Sequence, residues 1–92
     1  FDLEAWFPNR EAYKELVSCS NCLSFPSVAL NVRIPDPGKK FVYPAMLNGT
    51  LCATQRTLCC ILENYQREDG IEVPEVLRPY LPEKFKEHLP FV

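Results

Sequence analysis

The stretch LNGTLCATQRTLCCILENYQ, residues Leu47–Gln66, decides how the chain is organised, because its hydrophobic period changes partway along. From Leu47 to Thr54 the side chains alternate, with Leu47, Leu51 and Ala53 on one face, which is the period of a half-buried strand. From Gln55 the period becomes helical, since apolar side chains recur at i, i+3, i+4 and i+7: Leu58, Ile61, Leu62 and Tyr65. The sequence therefore predicts a strand that leads into a helix over about residues 55–66, with Thr54 as its N-cap.

The start of this helix places a cation where anions usually bind. Arg56 would lie in the first turn, where the helix dipole disfavours positive charge unless an anion is nearby. The free N–H groups of that turn attract anions as well. A planar guanidinium can stack on a base and pair with a phosphate at once. We interpret the corner as an anion-facing site, the alternative being a solvated surface arginine.

Four further stretches carry a resemblance to a known family. They read FDLEAWFP at 1–8, KELVSCSNC at 14–22, GIEVPEVLRPYLP at 70–82 and LPFV at 89–92. In this order, and together with residues 47–66, they resemble the class II aminoacyl-tRNA synthetases in the form found in seryl-tRNA synthetase. The resemblance identifies Leu47–Gln66 as motif 3 and the whole chain, residues 1–92, as the C-terminal part of the catalytic domain.

The resemblance also implies an ATP site. In this family motif 3 supplies an arginine that lies against the adenine ring and reaches the γ-phosphate of ATP, and by position this catalytic residue is Arg56. A carboxylate in the ATP segment would suit a magnesium ion that bridges phosphates, so the resemblance implies Glu15 as a metal ligand, whereas spacing alone favours a solvated strand residue. The ATP segment itself corresponds to Glu15, Leu16, Val17 and Ser18.

The serine side of the pocket is implied to involve Asn48 and Thr50. Both offer neutral donors and acceptors, which can read a small polar amino acid without adding charge. A site built to bond a hydroxyl group strongly rejects analogues that lack one, which suits serine over alanine. Without the resemblance, a pair of polar residues at a turn or strand edge explains them equally well.

The spacing within the ATP segment sets a geometric condition. Tyr13–Ser20 reads as a strand, and strict alternation would put Glu15 and Ser18 on opposite faces. For both to touch ATP, one must act through its backbone or a bulge must intervene.

The match to the family breaks at Ser24–Ala29. After SCSN the family usually reads close to D-F/Y-Q-A-R-R, whereas this chain reads SFPSVA. The glutamine and both arginines are missing, and Pro26 stands at the glutamine position. This departure motivates a second hypothesis, a non-catalytic paralogue used for protein interaction or regulation.

Composition limits the partners. The net charge is −2, the pI is about 5.3, and Lys39-Lys40 is the sole adjacent basic pair, so we do not place the principal tRNA contact in this segment. The first residue is Phe1 and the single methionine is Met46, which suggests a fragment or a processed chain. No apolar run is long enough to span a bilayer, and no membrane partner is expected.

The cysteines are most simply small reduced hydrophobes of a cytoplasmic protein. Their odd number argues against a closed disulfide framework, and the Cys19-x-x-Cys22 spacing lacks two further zinc ligands. A metal or redox module is the weaker alternative. The five are Cys19, Cys22, Cys52, Cys59 and Cys60.

The remaining pattern predicts an α+β fold, an antiparallel β-sheet with the motif-3 helix packed on one face and a proline-rich helical tail at 70–92. Strands are expected within residues 1–54, at Phe1–Phe7, Tyr13–Ser20, Ala29–Ile34 and Phe41–Met46. Gly70 would stop the helix, and the tail would form helical turns at Glu75–Tyr80 and Glu83–Leu89. We expect a loop at Cys19–Ser27, a several-residue loop around Pro35–Gly38, and solvated positions at Glu63, Asn64 and His88.

The sequence thus favours part of an enzyme that forms seryl-adenylate from serine and ATP and transfers the seryl group to tRNA. The resemblance implies that the whole protein is a homodimer and that other segments hold most of the tRNA. Motifs 1 and 2 of the family are absent from these residues, so the chain alone is expected to be inactive.

Overall fold

The computed structural model describes all residues, Phe1–Val92, as three small antiparallel sheets and two α-helices. The first sheet has the order β1-β2-β5, with β1 at Asp2–Phe7, β2 at Ala12–Leu23 and β5 at Met46–Thr50. Between β2 and β5 lie helix α1 (Phe25–Ala29) and a hairpin of β3 (Ile34–Asp36) and β4 (Lys39–Val42). Helix α2 (Thr54–Asn64) leads to the third sheet: β6 (Gln66–Arg67), β7 (Gly70–Glu72) and β8 (His88–Pro90). Three short 3-10 turns complete the chain: Pro8–Arg10, Glu75–Tyr80 and Glu83–Phe85.

The α+β class with antiparallel pairing is confirmed, but the expected single sheet is three separate sheets. The predicted loop at Cys19–Ser27 is also wrong. β2 continues to Leu23 because β5 pairs with its far end, and α1 follows at once with Pro26 in its first turn. The pairing partner lies far along the sequence, so local composition gave no sign of it.

The predicted strand at Ala29–Ile34 is wrong as well. Its first residues close α1, and Asn31 takes a left-handed conformation with φ of 55°, which ends the helix. The next hairpin turns over two residues, Pro37 and Gly38, instead of several. The turn is tight because the Asp36 side chain accepts a hydrogen bond from the Gly38 amide at 2.7 Å.

The strand predicted at Leu47–Thr54 is shorter, and its apolar face is not buried. β5 ends at Thr50, while Leu47 and Leu51 are 79% and 90% exposed. β5 pairs with β2 alone, and no other element of the chain covers these leucines. Alternation therefore identified the strand correctly but not the burial of its face.

Helix α2 forms where the period predicted a helix, with different ends. The N-cap residue is Ala53, whose side chain makes no capping hydrogen bond. The prediction that Thr54 is the N-cap is therefore wrong. The Thr54 hydroxyl donates to the Gln55 side chain instead, at 3.0 Å. The helix ends at Asn64, so Gly70 does not stop it. Gly70 is buried in β7, and of the helical turn predicted at Glu83–Leu89 the first part forms as a 3-10 turn, while its end belongs to β8.

The chain is elongated and buries little of its own surface. Its radius of gyration is 20.7 Å, whereas a compact domain of this length would have about 12 Å. Five of 92 residues are buried, and the apolar ones are Phe7, Ile71 and Val73. Ile71 lies in β7 and Val73 directly follows that strand, both beside α2, so this part of the core sits under the helix.

Candidate functional site

The start of α2 is fixed to β2 at the predicted ATP segment. The Ala53 amide donates to the Leu16 carbonyl oxygen at 2.8 Å. One turn further on, Nη1 of Arg56 donates to the Glu15 carbonyl oxygen. The structure therefore brings together Arg56 and Glu15, which are 41 positions apart in the sequence.

The geometric condition on Glu15 and Ser18 is met by a bulge in β2. Leu3 pairs with Val17 and Glu4 pairs with Glu15, so Leu16 is an extra residue without a partner on β1. Glu15 and Ser18 consequently stand opposite Glu4 and Asp2, which share a face because they are two positions apart. The backbone oxygen of Glu15 accepts from Arg56, so of the two alternatives raised by the spacing the structure shows the bulge.

The predicted serine-side residues lie directly across from β2. Thr50 pairs with Ser18, and Asn48 pairs with Ser20. Cross-strand partners lie on the same face of a sheet, so these polar side chains continue the face that carries Glu15. Asn48 is exposed and Thr50 is half-buried.

A polar cleft of about 650 Å³ opens beside this corner. Glu15 and Arg56 line it, whereas Ser18, Asn48 and Thr50 lie outside its lining. The sequence reading missed Arg10 and Lys14, two further cations that face the cleft, and Glu4, the cross-strand partner of Glu15. The full lining is Glu4, Phe7, Arg10, Tyr13, Lys14, Glu15, Gln55, Arg56 and Cys59.

Two polar side chains near the end of α2 bond to the start of the chain, one to β1 and one to the turn at Pro8–Arg10; Asn64 is exposed as predicted, whereas Glu63 is half-buried. The Asn64 amide group donates to the carbonyl oxygens of Trp6 and Cys60, both at 2.9 Å. The Glu63 carboxylate accepts from the Asn9 amide at 3.0 Å. Trp6 and Asn9 lie more than fifty residues away, and helical periodicity carries no signal for such contacts.

The segment that departs from the family pattern is well anchored. Ser27 is fully buried, and its hydroxyl lies 2.9 Å from the Ser24 carbonyl oxygen and 2.7 Å from that of Pro44. These contacts join α1 to the chain that enters β5. The altered residues thus form a defined short helix beside the strand that carries Asn48 and Thr50.

All five cysteines are free thiols. Partial desolvation of the Cys59 sulfur raises its pKa, and the hydrogen bond and charge of Glu63 act in the same direction. No group of three or more His, Cys, Asp or Glu side chains is arranged to hold a metal ion. His88, predicted to be a surface residue, is half-buried and lies 3.6 Å from Asp69.

Glu4 and Glu15 are the acidic side chains that line the cleft, and they face each other across β1 and β2. Carboxylate oxygens are the ligands that Mg²⁺ prefers, and this ion is usually bound by one or two carboxylates together with phosphate oxygens. The residues present therefore fit a magnesium ion that arrives with a nucleotide.

None of the helices is both long and apolar enough to traverse a lipid bilayer.

Curated proteins of high similarity are all named as one kind of enzyme. The chain is 59% identical over 97 residues to the cytoplasmic serine–tRNA ligase of Saccharomyces cerevisiae, an alignment covering 100% of this chain and 20% of that protein. It is 51% identical over 94 residues to the cytoplasmic serine–tRNA ligase of Homo sapiens, covering 99% and 18%. The chain therefore spans about a fifth of the length of the curated relatives that it matches.

Solved structures give the same result for the fold. The cytoplasmic serine–tRNA ligase of Naegleria fowleri in complex with AMP matches with a TM-score of 0.72 and 47% identity, covering 98% of this chain and 22% of that one. The seryl-tRNA synthetase of Pyrococcus horikoshii complexed with ATP matches with a TM-score of 0.73 and 41% identity, covering 99% and 20%. Residues 1–65 match the family described as tRNA synthetase class II core domain (G, H, P, S and T). The chain belongs to this class II synthetase core family.

Proposed function

We propose that this chain is the C-terminal part of the catalytic domain of a cytoplasmic serine–tRNA ligase, with motif 3 at Leu47–Gln66. The parent enzyme activates serine with ATP to form seryl-adenylate and then transfers the seryl group to tRNA. The names of the similar proteins support the substrate, and the AMP and ATP complexes of the structural neighbours support a nucleotide site.

The observation that carries this proposal is the contact between Arg56 and β2. Because Nη1 of Arg56 is bound to the Glu15 carbonyl oxygen, the guanidinium is held in one orientation at the edge of the cleft. Its planar face and its remaining nitrogen donors are available to adenine and to the γ-phosphate. Arg10 and Lys14 add positive charge on the same cleft, which favours a triphosphate.

Within the ATP segment, the Leu16 carbonyl oxygen accepts from the Ala53 amide at the start of α2, Val17 pairs with Leu3, and Ser18 lies on the same face as Glu15. Glu15, with Glu4 opposite, would hold Mg²⁺. When bound, the magnesium ion would neutralise negative charge of the triphosphate in addition to that neutralised by Arg10, Lys14 and Arg56.

The serine subsite is assigned to Asn48 and Thr50 on β5. Their face is continuous with that of Glu15 through the pairing of Ser18 with Thr50. A serine bound there would have its hydroxyl group read by neutral side chains and its carboxyl group near the ATP cleft, as adenylation requires.

The open shape of the chain supports a role as one wall of a larger site. Leu47 and Leu51 are largely exposed, and apolar area of this kind is normally covered by other protein segments. We assign the rest of the pocket, the homodimer interface and most tRNA contacts to segments outside these residues.

The test is ATP–pyrophosphate exchange with serine, measured on the full-length parent protein. Arg56→Ala should slow exchange by about a hundredfold or more, because a charge-stabilising donor is lost from the transition state. Arg67→Ala is the matched control, since Arg67 is an exposed arginine paired with Glu72 outside the cleft. Near-normal exchange by Arg56→Ala would contradict the assigned role. Exchange by the isolated 92-residue chain would contradict the proposal that it forms one wall only.

A second candidate function rests on the altered segment Ser24–Ala29. It lacks the glutamine and arginines of the family pattern, as a non-catalytic paralogue active in protein interaction or regulation would. Isothermal titration of the full-length protein with a non-hydrolysable seryl-adenylate analogue separates the two functions. Tight binding supports the ligase, and no binding supports the paralogue.

A further inference from the structure

Positive charge is concentrated in the middle of this acidic chain. Between Leu16 and Leu62 there are four basic side chains and a single acidic one, Asp36. Three of the four basic residues belong to the β3–β4 hairpin and the residue before it: Arg33, Lys39 and Lys40. The carboxylate of Asp36 bonds to the Gly38 amide in the turn. The hairpin is therefore a local cationic surface on a chain whose net charge is −2.

These cations form no ion pair with the protein's own carboxylates. The ion pairs of the chain join Arg67 to Glu72, Lys86 to Glu83 and His88 to Asp69, and none involves the hairpin. Arg33, Lys39 and Lys40 are all exposed. An external anion would meet them without displacing a carboxylate.

The arginine is also held in position by aromatic and amide groups. The Arg33 guanidinium carbon lies 4.0 Å from the centre of the Phe41 ring and 5.8 Å from that of Tyr43. The Asn31 side-chain oxygen accepts from Nε of Arg33 at 2.6 Å and from the Tyr43 hydroxyl at 3.1 Å. Nε is the Arg33 nitrogen that donates to the protein, so the two terminal nitrogens keep their donors for an external acceptor.

A rigid guanidinium fork, two lysines and two half-buried aromatic rings are the groups that bind a polynucleotide. Phosphates pair with the cations, and unstacked bases or riboses pack on the ring edges. An acidic peptide would use the cations alone and would leave the ordered Arg33–Phe41–Tyr43 stack without a role.

We infer that the hairpin from Asn31 to Tyr43 is an RNA-contacting surface that binds about three phosphates of the tRNA. This inference rests on the proposed function for the identity of the RNA. The proposed contact is a secondary one, because the net negative charge of the chain argues against placing the principal tRNA contact here.

The test is the affinity of the full-length protein for bulk tRNA as a function of KCl concentration. Neutralising Lys39 and Lys40 with Lys39→Gln/Lys40→Gln should reduce the slope of log affinity against log salt by about 2, or about 1 per phosphate contact. Arg33→Gln alone should reduce it by about 1. The matched control is Lys84→Gln/Lys86→Gln, which removes the same charge from the tail and should leave the slope at the wild-type value.

An unchanged slope in the hairpin variants, or an equal loss in the tail control, would overturn the inference. Exchange of ATP and pyrophosphate with serine is measured on the same proteins without tRNA, and the hairpin variants should retain it. Absence of exchange in the wild-type protein would refute the proposed function, whereas the salt slopes would still decide whether the hairpin binds RNA.

Discussion

Replacing Gly70 by alanine should detach the last strand of the chain. A Cβ atom at Gly70 would lie 2.3 Å from the Leu89 carbonyl oxygen and 2.6 Å from two atoms of the His88 ring. The chain has no glycine with positive φ, so backbone preference does not contribute. The cost is steric, and it is large because the nearest atom belongs to the backbone of β8 and cannot rotate away.

The expected magnitude follows from the displacement. Ordinary contact of a Cβ atom begins near 3.4 Å, so β8 must move outward by about 1 Å. Inserted atoms of this kind cost about 1–3 kcal/mol, and we expect about 2 kcal/mol, which is roughly thirtyfold in an opening equilibrium. Gly38→Ala is the matched control, because its Cβ would meet one side-chain oxygen at 3.4 Å.

Hydrogen exchange of the full-length protein reports this opening locally. The Phe91 amide donates to Asp69 and the Val73 amide donates to Glu87, so both protons are protected only while β8 is docked. In Gly70→Ala they should exchange roughly thirtyfold faster, and in Gly38→Ala at the wild-type rate. Equal protection in the two variants would refute the steric reasoning.

Three further predictions concern the site and its supports. Ser27→Ala should destabilise the protein by about 1–2 kcal/mol, because the Pro44 carbonyl oxygen loses its partner; an unchanged midpoint of thermal unfolding would contradict this. Thr50→Val should raise the KM for serine by about tenfold or more while leaving the KM for ATP unchanged, and a parallel rise of both would argue against the serine subsite. Cys59 should react with iodoacetamide more slowly than an unperturbed thiol at pH 8, because its raised pKa leaves less thiolate. Glu63→Gln removes a charge that raises this pKa and should accelerate the labelling, which mass spectrometry of the labelled peptides measures.

Features that depend on neighbours in sequence were predictable. The change of period after Thr54 correctly indicated a strand followed by a helix, because both repeats are set by backbone geometry. The spacing of Glu15 and Ser18 posed a conflict that a bulge could resolve, and the bulge is present at Leu16. In each case the information lay within a window of a few residues.

Features that depend on distant partners were not predictable. Asn64 is exposed, as its helical position indicated, but that position gave no sign of the hydrogen bond to the Trp6 carbonyl oxygen. The end of β2 looks like a loop until β5 pairs with it. Composition likewise could not tell that Leu47 and Leu51 face solvent, because burial depends on what covers a strand and not on the strand alone.

The placement of Arg56 explains why an arginine, and not a lysine, suits this corner. One terminal nitrogen is bound to the Glu15 carbonyl oxygen, next to the bulge that interrupts the pairing of β2 with β1. The ammonium group of a lysine has no planar face and no second set of donors in a fixed geometry. It could bond to the strand or bind the proposed nucleotide, but it could not do both in one fixed orientation. The same side chain therefore closes the fold between α2 and β2 and presents a charge to the cleft. Fold and proposed function are coupled at this residue, because the orientation of the guanidinium depends on the strand that also carries the proposed ATP segment.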